Sequence, residues 1–230
     1  MNPQKKFLIL FFVFLLSESA LSQSISAYGG CPYYFMQLEK YGAFTDVKNK
    51  INYTVGLSIN KYFSSSKFEL GFAYGTKNYS FIYHDIYSSM EKDNLELNYY
   101  FIPIFFNQRL FTDSNNTISL SFGNVFIKAF GYSKETFFKD GTKTNRENIP
   151  INYKLGNTLR LGIKYSKNIS AKFILFTELY ANYKFNTDYY ESGSSLQYFD
   201  LTDDRFDTGI NVGIEWLFNK KELIYYKKGK

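Results

Sequence analysis

The residues of this chain that could do acid–base or nucleophilic chemistry are few. His84 is the only histidine, with Asp85 and Ser88 close by. A histidine with a serine and an acid is the minimum for an activated hydrolytic nucleophile. No compact motif joins these three, so the sequence assigns no catalytic residue. One histidine and one cysteine, Cys31, do not make a His/Cys zinc site. Asp85, Glu91 and Asp93 form one acidic group, and Asp200, Asp203, Asp204 and Asp207 another. Such oxygen donors suit calcium, but neither group follows the calcium-loop spacing, and both read as solvated loop. No metal ligand and no cofactor-binding residue is assigned.

The charge balance points away from nucleic acid. The chain has 27 Lys+Arg against 21 Asp+Glu, a formal net charge of +6. The lysines are dispersed, and the arginines are only Arg109, Arg146, Arg160 and Arg205. Its 25 Phe and 22 Tyr recur at strand period, which suits lipid contact better than base stacking. At 230 residues, 21% aromatic and only 4 Pro, this is one folded domain rather than a disordered chain. A mean hydropathy of −0.29 is compatible with a membrane barrel, where polar lumen residues offset apolar lipid-facing ones.

Residues 1–22 read as a secretory signal. Lys5 and Lys6 precede an unbroken apolar run at 7–16, and Ala20 and Ser22 occupy the two small-residue positions of a cleavage site. The run is too short to cross a bilayer as a helix. Cleavage removes two lysines and Glu18, taking the net charge from +6 to +5. Cys31, the only cysteine, excludes an intramolecular disulfide, so an exported domain must draw its stability from packing or from a membrane.

The remaining chain alternates at the period of strands with two unlike faces. Ile51, Tyr53, Val55, Leu57 and Ile59 oppose Asn52, Thr54, Gly56, Ser58 and Asn60. Phe68, Leu70, Phe72 and Tyr74 oppose Glu69, Gly71, Ala73 and Gly75. Similar segments cover 117–130, 153–165 and 206–218, while 170–185 is strand-like but less regular. In 95–108 the outward set is read as Leu97, Tyr99, Phe101 and Phe105, although this segment is apolar on both faces. The opposite, small-residue side predicts a narrow lumen holding Glu69, Tyr100, Arg160, Lys164 and Glu215, with its charges paired. Such an interior is plugged and supports no general diffusion pore.

Connections alternate in length. Those at 62–67, 109–116 and 166–169 are short, and those at 83–94, 131–152 and 186–205 are long, as expected of periplasmic turns and extracellular loops. An eighth strand is required before the first short turn. The sequence places it in 31–44, with 46–50 as a tight outer loop. The fold class is therefore all-β, a closed antiparallel transmembrane barrel of eight strands. It comprises a signal peptide at 1–22, the barrel at 23–218 and a basic tail at 219–230.

Several segments resemble the outer-membrane β-barrel proteins of Bacteroidetes, including the PorT-like group. Tyr99-Tyr100-Phe101-Ile102-Pro103-Ile104 resembles that family's Tyr-Leu-Glu-Ile-Pro-Leu strand, with Pro103 as the marker and Phe101 in place of the usual Glu. Residues 158–165 and 209–215 resemble its later strands. The resemblance implies an outer-membrane location and ties to secretion or gliding machinery. The expected function is structural or partner-binding rather than enzymatic, as an envelope-complex subunit or through surface loops. Outer-membrane lipids and an envelope protein are the expected partners; oligomeric state is left open. A small lipid-acting barrel enzyme and a soluble exported ligand-binding barrel are the alternatives.

Overall fold

The computed structural model describes residues 23–34, 44–49, 51–63, 65–83, 89–150, 156–185 and 206–218. The alternating segments form strands: β1 (Gln23–Tyr34), β2 (Phe44–Asn49), β3 (Thr54–Tyr62), β4 (Ser66–Tyr83), β5 (Met90–Thr112), β6 (Asn116–Phe138), β7 (Lys143–Pro150), β8 (Gly156–Asn168), β9 (Phe173–Lys184) and β10 (Phe206–Leu217). Eight of them close a ring in the order β1-β3-β4-β5-β6-β8-β9-β10, antiparallel at every step and joined by β10 to β1.

Register partners fix the shape of that ring. A walk from Ser24 through Asn60, Glu69, Phe105, Gly123, Arg160, Asn182 and Asp207 returns to β1 at Tyr34, ten residues from its start. Eight strands with that stagger tilt by about 40° and enclose a backbone cylinder of roughly 8 Å radius. Side chains fill such an interior.

The outer wall is apolar. Leu57 (61% exposed), Phe72 (53%), Leu161 (55%) and Val212 (48%) all point away from the lumen, as the alternation predicts. Aromatic contacts rim both ends of this belt. At one end Tyr100 stacks on Phe130 at 4.3 Å, and Tyr53 lies 6.1 Å from Tyr74. At the other, Trp216 meets Phe218 edge-on at 5.7 Å. A closed barrel wrapped in exposed apolar side chains between two aromatic rims is stable only with hydrocarbon outside. The three short turns, β3–β4, β5–β6 and β8–β9, gather at one end with Gln23 and Leu217, which marks it as periplasmic.

Three expectations are corrected. The first strand is β1 at Gln23–Tyr34 rather than a segment in 31–44, and 46–50 is no tight loop, because Phe44–Asn49 forms β2 against the far end of β4. β1 hides its alternation because Ala27, Gly29 and Cys31 on its outer face are nearly as small as Ser24, Ser26 and Gly30 within. Second, Leu97, Tyr99, Phe101 and Phe105 point inward and are buried, whereas Tyr100 faces out at 40% exposure. The reason lies on neighbouring strands. A Cβ on Gly75 would meet Phe101 at 2.8 Å, on Gly71 Pro103 at 2.8 Å, and on Gly123 Phe105 at 2.8 Å, so these glycines open the space that β5 fills.

Third, the described parts of two of the long connections are largely strand. β4, β5 and β6 run for 18, 23 and 23 residues and continue past the ring. There β2 pairs with β4 and β7 with β6, giving an outer sheet of order β2-β4-β5-β6-β7. Its inner face buries Tyr79, Phe81, Leu95, Leu97 and Tyr132 in one cluster with Tyr99, Phe101 and Phe105 of the barrel. The β6–β7 tip turns at Gly141, whose φ of 82° favours glycine. The leader at 1–22, the 186–205 connection and the tail at 219–230 lie outside the described residues.

A fixed lumen volume makes two glycines diagnostic. A Cβ on Gly213 would collide with the Ala27 carbonyl and the Phe176 ring, whereas at Gly29, on the lipid side, the nearest atom is 3.8 Å away. Gly213→Val is expected to destabilise the folded barrel by about 1–3 kcal/mol and Gly29→Ala by less than ~0.5 kcal/mol, measured as urea-unfolding midpoints in lipid vesicles.

Candidate functional site

Two places concentrate polar chemistry: the lumen and the outer sheet. In the periplasmic half of the lumen four charges balance. Lys67 Nζ lies 2.9 Å from Glu215 Oε2 and 3.6 Å from Glu69 Oε2, and Lys164 Nζ lies 3.0 Å from Glu69 Oε2. Ser24 and Tyr62 hydroxyls donate to Glu215, and Ser58 donates to Glu69 at 3.0 Å. Asn60 donates to Ser24 and Ser26 at 3.0 and 2.7 Å, tying β3 to β1 across the wall. The β-strand parity that turns leucines outward turns these groups inward, where each charge needs its counterion.

A second group lies further out. The Arg160 guanidinium sits 3.8 Å over the Tyr180 ring and 5.2 Å from the centre of Phe105, while its Nε donates to Asn182 at 2.8 Å. Asn182 donates in turn to Asp207, and Asn211 donates to Glu178 at 2.9 Å. Of the predicted lumen set, Glu69, Lys164 and Glu215 are thus inside and ion-paired, Arg160 is inside with an Asn182 hydrogen bond and the Tyr180 ring, and Tyr100 belongs to the outer rim. Sequence reasoning missed Lys67 and Glu178, whereas Asp207 already falls on the inward parity of 206–218. Lys67 was assigned to a turn, yet its inward parity with Glu69 is readable two residues away.

Among the described residues side chains fill the lumen. Two cavities within it, one lined by Tyr28, Lys77, Phe101, Arg160 and Asp207 and one by Tyr62, Lys67, Asn107, Lys164 and Glu215, measure about 20 Å³ each. That volume accommodates about one water molecule.

The outer sheet has its own polar bonds. Asp93, buried on the inner face, accepts from the Tyr83 hydroxyl and pairs with Lys134 at 2.8 Å. Burial first, and the Asp93 carboxylate second, push the Tyr83 phenol well above its ordinary range. On the opposite face Glu135 binds Lys143 at 3.1 Å and Asn94 at 3.1 Å, joining β5, β6 and β7. A groove of about 270 Å³ lies there, lined by Asn78, Asn94, Glu96, Ser133, Glu135 and Arg146. β2 and β7 each pair with one strand only, leaving two open edges among the described residues.

The other candidates form no assembled group among the described residues. His84, Asp85 and Ser88 lie outside the described residues, as do Asp200, Asp203 and Asp204. Asp93 and Asp207, from the two acidic groups, are committed to Lys134 and Asn182. No group of three His, Cys, Asp or Glu suited to a metal occurs among the described residues.

No family model matches the chain, and no curated protein sequence matches it. Solved structures do. The outer-membrane protein OprG of Pseudomonas aeruginosa superposes with a TM-score of 0.52 at 8% identity, over 86% of this chain and 96% of that one. A major outer membrane protein of Thermus thermophilus gives 0.50 at 11% identity, over 85% and 99%. These likenesses carry the fold. Together with the apolar belt, they place the chain in the outer membrane as a β-barrel.

Removing one member of the buried quartet leaves its partner uncompensated. Glu215→Gln is expected to cost about 3 kcal/mol, and adding Lys67→Met to recover most of that loss, read from unfolding midpoints. At the β6–β7 tip the Thr142 hydroxyl and N–H donate to Asp140 at 2.6 and 2.9 Å and hold its carboxyl below the usual range. A depressed folded-state pKa stabilises above the unfolded value. The ordering of this tip is therefore expected at neutral pH and lost as pH falls through the folded pKa, with Thr142 amide exchange as the readout.

Proposed function

We propose that the protein is a non-catalytic outer-membrane barrel whose outer sheet docks an envelope or extracellular protein. The supporting observation is the continuation of β4, β5 and β6 beyond the ring, where β2 and β7 end the sheet in open edges. An unpaired strand edge is a template for an added strand, with main-chain hydrogen bonds giving affinity and neighbouring pockets giving selection. The groove beside β7 carries amides and both signs of charge, which suits an extended peptide of mixed polarity better than a lipid tail or a nucleic acid. With side chains filling the lumen among the described residues, transport through it is not the role proposed.

The finer reading is a PorT-like barrel serving as the membrane-embedded subunit of an envelope complex, with outer-membrane lipids around it. Its support is the 99–104 segment. Pro103 interrupts the β4–β5 ladder, which has no pair between Leu70↔Ile104 and Ala73↔Phe101, yet register is kept on both sides. A proline tolerated at mid-strand, with its ring packed over Gly71, is a specific structural device rather than a chance residue.

In a Cys31→Ser background, Asp140→Cys is expected to react with a membrane-impermeant maleimide on intact cells. A photocrosslinker at Asn145 is expected to capture one discrete envelope protein, and replacing 137–146 by a short turn to abolish the adduct while the barrel stays heat-modifiable. Absence of surface labelling, or an adduct unchanged by the replacement, would overturn the docking role.

A further inference from the structure

Asn124 breaks the apolar pattern of the wall. It sits on the lipid side of β6, opposite Ile104 of β5 and Leu159 of β8, with Phe122 and Phe126 on the same face of its own strand. Outward residues on β6 run from Ile118 near the periplasmic rim to Lys128 near the outer one. At a rise of about 3.3 Å and a tilt of about 40°, Asn124 stands roughly 15 Å from the level of Ile118 and roughly 10 Å from that of Lys128. It therefore lies well within a hydrocarbon band about 25 Å tall. Its side chain is exposed, and its carboxamide has no hydrogen-bond partner among the described residues.

An unmet amide in hydrocarbon carries a large desolvation penalty, because no water is there to replace the lost bonds. Asn157 of β8, opposite Phe126 on the same wall, is in the same position, its Oδ1 without a hydrogen-bond partner among the described residues. The hydroxyl and thiol residues of the wall escape this. The hydroxyls of Thr177 and Thr208 are short enough to return to their own backbone, and a thiol such as Cys31 behaves as a small hydrophobe. The Asn124 carboxamide makes no such bond, and none to β5 or β8, which both pair with β6 at its position.

We propose that the β5–β6–β8 wall is the docking face for a second copy of this chain, closed by reciprocal hydrogen bonds between the two Asn124 carboxamides. Two copies inserted by the same route share one orientation and one depth. A two-fold axis along the membrane normal then brings each wall residue opposite residues of equal depth. A carboxamide both donates and accepts, so it is complementary to itself across that axis. Phe122, Phe126, Leu159 and Leu161 surround it with apolar surface to pack against the partner. Lipid headgroups do not reach this depth, and a different partner would need its own polar group at the matching level.

Hydrogen bonds between membrane-embedded segments shift association by roughly three- to twentyfold. The test uses full-length protein in phosphatidylethanolamine/phosphatidylglycerol vesicles, with subunits counted by single-molecule photobleaching over a series of protein-to-lipid ratios. Wild type is expected to dimerise, Asn124→Leu to weaken the dimer by that factor, and Asn124→Gln to retain most of it. Leucine suits a lipid-facing site, and gel heat-modifiability checks that each variant folds. In the Cys31→Ser background, Asn124→Cys is expected to crosslink on oxidation, whereas Leu57→Cys on β3 and Val212→Cys on β10 are not. A monomer at every ratio, Asn124→Leu associating like wild type, or equal crosslinking at all three positions would overturn the proposal.

Discussion

Closing eight antiparallel strands with a stagger of ten leaves so little interior that every large side chain admitted must be matched by a missing one. Phe101 occupies the space over Gly75, Phe105 that over Gly123, Phe176 that over Gly213, and Tyr180 that over Gly209. Glycine inside a strand ordinarily weakens it; here the cramped lumen turns that loss into a packing requirement. The same confinement governs charge. Lys67, Lys164, Glu69 and Glu215 meet as two cations and two anions within 3.6 Å of their partners, an arrangement that a wider, wetter interior would not demand.

How much of this was legible depended on contrast between the two faces of each strand. β3, β4, β8 and β10 set Leu, Ile, Val and Phe against Gly, Ser, Asn or charge, and their outward sets were read correctly from the chain alone. β1 lacked contrast because both faces are small, and only the demand for an eighth strand signalled its existence. β5 lacked contrast because both faces are large. Its parity could be decided only by which neighbouring strands left room, a long-range fact. Gly71, Gly75 and Gly123 held that information, and the period-2 pattern within β5 did not.

The outer sheet was misread for a related reason. Above the membrane a strand no longer has to present hydrocarbon on one side, so charged residues such as Lys134, Glu135, Lys143 and Arg146 look like loop. Yet Tyr79, Phe81 and Tyr83 keep their two-residue spacing, as do Leu95, Leu97 and Tyr99, and these are the residues the sheet buries. The lumen charges were more legible than the sheet because a charge on a transmembrane strand has one tolerable direction. Tyr100 was the exception. A phenol is at home in either a polar lumen or an interfacial rim, and its contact with Phe130 resolves the ambiguity.

A lumen filled by side chains moves the burden of function to surfaces, and the strand lengths show how those surfaces are coupled. β5 and β6 are single uninterrupted ladders from the periplasmic turn to the β7 hairpin, with bulges but no break in pairing sense. Hydrogen bonds and the shared aromatic cluster make the outer sheet an extension of the barrel rather than a tethered module. The outer sheet thus gains a rigid base in the membrane. A ligand strand added at β7 would meet an edge already ordered, and so would lose less entropy than one binding a mobile loop. That argument ties the depth of the barrel's packing to the quality of its exposed edge, and gives a physical reason why strands of 23 residues replace shorter strands joined by loops.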